Sequence, residues 1–535
     1  MHHGLRLPVA LALSSALLGS ACAPKNPPAL PVSEAKPIVV PMPAPPQDAT
    51  LFGYLKLRDA RQTVELFGGP MLTAGAAQQG LNLTELQQGR PAAVFAWDPQ
   101  GADAPQAVPA VALLPMPAQG TLAARLKLLA ATAEIEPFPD GTMASMNPAV
   151  ADRARAGREG LVQVLNAPLP FDGLLYLNAA AILNRYLPTL RGGLHAMEPL
   201  LTAAAAQRKD APSPKSIIGT LDGLFNSLEG LRAVAVGAKP YDGGIEISTL
   251  VQAQPWQAGG PVPAPDLAQF LPLGDVRLVW NSRDIKRLVD FFMAIYGPML
   301  DEKPGVRAQV MPLIDEWLKA GRRMDSAMSM SFGGERGFRG HGLMRVDNAA
   351  AAFALVGKSV QLFQAGPVHD AYKSMGVDLQ IVRQAKTRKL FGWPVDRYEY
   401  RLTMSAQMPD PAMAAVWNKL SNMTYEVAQI GPYVAYALNG SLDEIVKPLF
   451  VGKGPNPMKA TAAFPPGGHF YVDCNVASLL AGFKSMLPPP TAERLPDLPP
   501  QTDPVLLFGY DSGETGYYKL RVPGPLLLAM RGAMR

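Results

Sequence analysis

The sequence predicts an α+β fold in two related domains, each an antiparallel sheet with helices packed on one face. Three observations carry that reading. A strand–junction–helix unit recurs, an alternating hairpin recurs, and the two follow one another in the same order in each half of the chain.

The strand–helix unit is clearest in residues 174–190, LLYLNAAAILNRYLPTL. A short apolar run with a central aromatic reaches Asn178, and a helical pattern then begins. Residues 278–295, LVWNSRDIKRLVDFFMAI, place Asn281 at the junction, and residues 470–487, FYVDCNVASLLAGFKSML, place Asp473 there. Residues 51–67 repeat the rhythm around Tyr54 without a clear cap. Residues 433–450 offer both Asn439 and Ser441. These residue types suit a junction because their side-chain oxygens accept the free N–H groups of a first helical turn.

The hairpin is clearest in residues 231–251, LRAVAVGAKPYDGGIEISTLV, where two alternating runs flank a turn at 241–244. Residues 327–346 and 505–522 repeat the form, and residues 92–114 do so around a longer Ala/Pro loop. Period-two alternation around Gly-rich turns is a strong local signal for paired strands. The order strand–helix, hairpin, helix, further strands, strand–helix, hairpin runs from about 50 to 253 and again from about 273 to 522. Residues 254–265, QPWQAGGPVPAP, read as a linker. The expected domains are therefore 50–253 and 266–535, built by internal duplication, with residues 488–504 a proline-rich surface loop. This layout resembles uncharacterised repeat-containing bacterial envelope proteins in pattern, and the resemblance implies no activity.

The N-terminus supplies an address. His2, His3 and Arg6 precede an apolar run over 7–18, followed by Gly19, Ser20, Ala21 and Cys22. This is the layout of a secretory signal, with an apolar run too short to span a bilayer. The small residues before Cys22 resemble the lipobox of bacterial lipoproteins. That resemblance implies lipidation of the Cys22 sulfur by diacylglycerol, cleavage after Ala21 and acylation of the new amine. With Ala23 and Pro24 next rather than Asp, it also implies anchoring in the outer membrane rather than the inner one; the expected side is the periplasmic face, with the outer surface as the alternative. Residues 22–49 then carry Pro24, Pro27, Pro28, Pro31, Pro37, Pro41, Pro43, Pro45 and Pro46. Proline fixes φ and removes a donor, so this tether reads as an extended spacer reaching roughly 80 Å.

Composition narrows the class. The 535 residues are 48% hydrophobic and 17% charged, enough for sizeable cores and two to four domains. Removing residues 1–21 takes away Arg6 alone and leaves 48 basic against 44 acidic groups. These charges are interspersed, which argues against a nucleic-acid partner and leaves a mild attraction to anionic lipid. The two cysteines, Cys22 and Cys474, do not make a disulfide framework. No segment after the leader is long and apolar enough for a transmembrane helix.

The chain offers little catalytic vocabulary. Of the six histidines, His195, His341, His369 and His469 lie beyond the leader, and none forms an i, i+4 pair for a metal. Cys474 follows Asp473 at an expected helix start, where a thiolate is favoured. His469, five residues earlier, is directed to the other face of a continuing strand. Ser512, in Gly509–Ser512–Gly513, sits one place late for a nucleophile elbow, and Ser33–Lys36 lies in the tether. The glycines of 333–342 and of Gly452-Lys453-Gly454 lack a phosphate-loop context. Asp443 and Glu444 suit a helical first turn. The 23 methionines read as core filler, or else as an adaptable groove for acyl chains or a partner helix, and the C-terminal run from Pro525 as a cap on the second domain or a surface-lying helix. The expectation is a lipoprotein without enzymatic activity, metal or cofactor, acting as a binding or scaffold module. The alternative is a periplasmic carrier of lipid or another apolar ligand. The partners are the membrane, through the lipid on Cys22, and an envelope protein or lipid.

Overall fold

The structure, a computed structural model, describes residues 50–62, 78, 82–98, 109–129, 133–206, 213–253, 267–282, 284–374, 376–404, 421–499, 503–512 and 514–533. The leader, Cys22, the tether and the linker at 254–265 lie outside them.

The described chain is mixed helix and strand. Its strands are β1 (Leu51–Leu57), β2 (Ala92–Trp97), β3 (Ala110–Leu114), β4 (Glu134–Phe138), β5 (Gly141–Ser145), β6 (Gly173–Leu177), β7 (Leu231–Tyr241), β8 (Gly244–Ala253) and β9 (Val276–Ser282). They continue with β10 (Met324–Phe332), β11 (Phe338–Val346), β12 (Val377–Leu390), β13 (Trp393–Met404), β14 (Asn422–Ile430), β15 (Tyr433–Leu438), β16 (Phe470–Cys474), β17 (Val505–Ser512) and β18 (Thr515–Val522). The helices used below are α1 (Thr121–Leu129), α2 (Pro148–Ala156), α3 (Arg158–Asn166), α4 (Ala179–Ala196), α5 (Glu198–Ala206), α6 (Pro214–Leu228) and α7 (Ile285–Leu300). After them come α8 (Val306–Ala320), α9 (Ala349–Gln364), α10 (Pro367–Ser374), α11 (Asp443–Val451), α12 (Lys459–Ala463), α13 (Val476–Lys484) and α14 (Gly524–Ala533).

Where two sheets are expected, all eighteen strands form one antiparallel sheet. Its spatial order is β4-β5-β3-β2-β1-β6-β7-β8-β18-β17-β16-β9-β10-β11-β15-β14-β13-β12. The join is β8 against β18, paired from Gln252↔Thr515 to Ile245↔Val522. The four expected hairpins are present as β2–β3, β7–β8, β10–β11 and β17–β18. At the β7–β8 turn Asp242 and Gly243 both take positive φ, 41° and 73°, the backbone a tight two-residue hairpin turn demands.

Helices cover both faces rather than one. Leu343 and Met344 are consecutive in β11 and so point to opposite faces, yet both are buried in large apolar cores. One core packs α2, α3 and α11 onto a face that runs from Leu51 to Tyr517 without a break at the join. The other packs α8 and α9 onto β11, β13, β14 and β15. A sheet of such length with apolar residues on both sides needs two helical layers to bury them.

The junction residues are partly reassigned. Asn178 caps α4 as expected, accepting from Ala181 N at 3.1 Å. Asn281 does not cap α7. It is buried within β9, and Asp284 caps the helix instead. Asp473 likewise stays in β16, and Asn475 caps α13. The Asp473 carboxylate accepts from Lys459 N and Ala460 N, both at 2.8 Å, closing the first turn of α12. At α11 it is Ser441 whose Oγ accepts from Asp443 N, whereas Asn439 turns back to Thr424 and Phe338.

Buried cations tie loops to the sheet. Lys56 Nζ donates to the carbonyls of Val164 and Ala167 at the end of α3, at 2.8 and 2.5 Å. Arg277 donates to the carbonyls of Asn456 and Pro457 and pairs with Asp473 at 2.8 Å, both ends of that pair buried. Each satisfies carbonyls that would otherwise be orphaned under the sheet. Burial pushes the Lys56 ammonium down from its ordinary pKa.

A helix crossing reinforces the join. A methyl group at Gly223 of α6 would fall on the carbonyl oxygen of Ala294 in α7, and one at Gly219 on the Pro298 ring. Gly219 and Gly223 share a helix face, and their missing side chains let the two backbones meet. A Gly223→Leu substitution is therefore expected to destabilise by about 1–3 kcal/mol or more. Denaturant unfolding checks this, and an unchanged midpoint contradicts the crossing.

Candidate functional site

The sequence-derived candidates separate in space. Cys22, the lipidation candidate, and Ser33–Lys36 lie outside the described residues. Cys474 lies in the field of the Asp275 carboxylate. Burial first, and the Asp275 charge second, push its thiol up, against the thiolate a nucleophile requires. Ser512 closes the β17–β18 turn opposite Thr515, and residues 333–337 form the β10–β11 turn. Asp443 and Glu444 open α11 and are held by Arg388 at 2.6 Å and Arg339 at 3.0 Å. Among the described residues no cluster of His, Cys, Asp and Glu has the makings of a metal site.

All four histidines that look solitary in the sequence lie beside a carboxylate: His195 by Asp222 and His369 by Asp370, both at 3.1 Å, and two in less exposed places. His341 is buried against Glu444, Nε2 to Oε1 at 3.6 Å. His469 lies 3.4 Å from Asp511, whose other oxygen accepts from the Tyr518 hydroxyl at 3.1 Å. Burial dominates this second group. It pushes the His469 imidazole down and the Asp511 carboxyl up, against the pull of each on the other, and it pushes the Tyr518 phenol up, with the neighbouring Asp511 charge adding to the rise. These shifts favour uncharged partners. The group resembles a relay in outline, but it offers proton donors and acceptors and no activated nucleophile.

A second polar anomaly sits beneath α9. Tyr398, Tyr400, Tyr425 and Tyr436 stand together on one face of β13, β14 and β15, with ring centroids about Tyr425 at 6.0 to 6.3 Å. Among the described residues the hydroxyls of Tyr398 and Tyr425 lack hydrogen-bond partners, as does Ser359 Oγ of α9. Burial pushes Tyr398 and Tyr436 up to about 12 and Tyr425 well above its ordinary value.

One contiguous, partly exposed apolar surface is on the sheet itself. Val94, Leu55 and Leu175 are directly paired across β2, β1 and β6, so they share a face. They are 39, 42 and 38% exposed. The same row continues through Val236, Thr249, Tyr518, Gly509, Phe470, Trp280 and Ser326 to Met344 and Val434. At that far end Met344 and Val434 are fully buried beneath α9. Beside the open end lies α4, whose Tyr186 packs edge-on to Phe52 at 5.8 Å. Tyr186 and Leu190 are exposed one turn apart, at 40 and 55%. Arg185 reaches Asp98 at 3.4 Å and holds the helix to the end of β2. The surface can take an apolar partner by burial alone. The alternation that marks these strands was legible in the sequence, but not which of their residues would stay partly exposed.

No protein-family model, curated protein or solved structure matches the chain, and among the described residues no helix is long and apolar enough to cross a membrane.

Below pH 10 the buried tyrosines are neutral in folded and unfolded chains alike. Above it the unfolded chain ionises while the folded chain resists, so the folded state binds more protons and stability falls as pH rises. Unfolding midpoints are expected to hold up to about pH 10 and drop beyond it, with the tyrosinate absorbance of the buried rings appearing only as the fold is lost, after that of the exposed ones. Tyr425→Phe removes an unpartnered buried hydroxyl. It is expected to leave neutral-pH stability unchanged or raise it by about 1 kcal/mol, and to soften the alkaline fall.

Proposed function

We propose that this chain is a lipid-anchored, non-catalytic binding or scaffold module of the bacterial envelope. It is held at the outer membrane through Cys22, on the proline-rich tether of residues 22–49, with its folded body in the periplasm. The observation that carries the binding role is the uncovered row Val94–Leu55–Leu175 beside Tyr186 and Leu190. A contiguous exposed apolar strip of this kind is a mark of an interaction surface. The occupant is the apolar face of another envelope protein. A second reading, a carrier of lipid, is favoured by the placement of apolar side chains on both α4 and the strands beside it, which suits an acyl chain.

The body is read as a duplication of one α+β unit, and the repeated connectivity supports this. From β1, the neighbours are β2 and β3 on one side and β6, β7 and β8 on the other. From β9, they are β10 and β11, and β16, β17 and β18. Aligning the β7–β8 and β17–β18 turns makes Ser248 equivalent to Lys519, and these two residues pair directly across the join. That is what a local two-fold axis between β8 and β18 would give.

Two experiments test the function. A fatty-acid label is expected on the wild-type protein in cells and not on Cys22→Ala; equal labelling removes the anchor from the account. Leu55→Asp with Leu175→Asp is expected to abolish cross-linking to envelope partners while leaving the fold intact by circular dichroism. Unchanged cross-linking with lipid found by native mass spectrometry of the wild type, and lost from the variant, moves the assignment to the carrier.

A further inference from the structure

The opposite face of the join carries a different anomaly, one of charge. Glu246 of β8 is 2% exposed and lies among three cations. Arg521 Nε donates to it at 2.8 Å, Lys519 Nζ lies at 3.1 Å and Lys239 Nζ at 3.4 Å. Burial works against the Glu246 charge, but Arg521, Lys519 and Lys239 together hold its carboxyl below the usual range. Register explains the convergence. Lys239 pairs with Glu246 across β7 and β8, Glu246 with Arg521 across the join, and Lys519 stands two residues before Arg521 on the same face.

One carboxylate answers three cations, leaving a local surplus of two positive charges. Among the described residues no other carboxylate comes within ion-pair distance of the three. The cations are not equally committed. Arg521 is fixed: its guanidinium lies between the rings of Tyr241 and Phe464, 4.1 and 4.7 Å from their centroids, and also donates to the Ala463 carbonyl. Lys239 and Lys519 have only the shared carboxylate as ionic partner, and their side chains are 41 and 19% exposed. The Tyr241 hydroxyl, which accepts from Arg521 at 3.3 Å, marks the rim. Holding three like charges together in a half-buried place is costly unless an anion completes the set.

We propose that Lys239 and Lys519, set by Arg521 and Glu246, form a seat for a phosphate group at the join of the two halves. A phosphate dianion would cancel the surplus and take the unused ammonium donors. The chemistry is the same for inorganic phosphate and for the phosphate of a lipid headgroup. This seat lies on the other sheet face from the Val94–Leu55–Leu175 row and stands whether or not that row binds a partner.

The test uses the whole chain at fixed ionic strength. Inorganic phosphate, titrated against a chloride control, is expected to raise the thermal midpoint saturably. Lys239→Gln with Lys519→Gln is expected to weaken that response about ten-fold or more. Glu246→Gln is expected to strengthen it, because the competing carboxylate charge is gone; a merely structural cluster would give no gain. Vesicles of phosphatidylglycerol, compared with vesicles of a neutral glycolipid, separate the sources. Binding to them that depends on the two lysines assigns a lipid phosphate, and a response to inorganic phosphate alone assigns a soluble one. Absence of both responses, or equal responses in the wild type and the double-lysine variant, overturns the proposal.

Discussion

Everything in this molecule depends on one ladder of backbone hydrogen bonds, between β8 and β18. Without it the chain would end in two sheets, each with a long open edge. An open edge presents unpaired donors and acceptors that recruit other chains. Paired, the two edges consume one another, and the aromatic and aliphatic core on one face passes over the join from Tyr54 and Leu250 to Tyr517 and Phe508. Three other features serve that ladder. Gly219 and Gly223 let α6 approach α7 on one face. Glu246 and Arg521 pair across it on the other. Gly524, opening α14, sits against the backbone of the β7–β8 turn, with Leu526 of that helix buried.

Much of the architecture was legible in the sequence because its signals are local. Alternation around Asp242-Gly243 and the apolar run before Asn178 each report on a few residues whose own conformations are at issue. What stayed hidden was non-local. Asn281 and Asp473 have the right chemistry for caps, yet the strands run on past them, and Asp284 and Asn475 take that work. A cap is chosen by where the strand's pairing stops, and pairing is set by a partner far away in the chain. The hairpin of β12 and β13 shows the same thing. It is the longest in the molecule, but β12 is a sheet edge rich in Arg, Lys and Gln, so its apolar alternation is weak.

The functional features divide along the same line. The anchor reading rests wholly on sequence, on Cys22 and the residues before it, and has no counterpart among the described residues. The apolar row and the cation cluster rest wholly on structure. Val94, Leu55 and Leu175 are unremarkable strand residues until their register shows them side by side beyond the reach of α9. Lys239, Glu246, Lys519 and Arg521 come from hairpins at opposite ends of the body. Both features exist because strands from distant segments are adjacent, and no spacing rule along the chain would have found them.

Hydrogen exchange at the amides of β8 and β18 tests the central claim most directly. If the join is an interior ladder of one cooperative sheet, amides within Gly244–Ala253 and Thr515–Val522 will exchange only with global unfolding, as slowly as those of β9 and β10. Rapid exchange at both strands, with the two halves unfolding as separate transitions, would show two sheets merely lying side by side and would contradict the account.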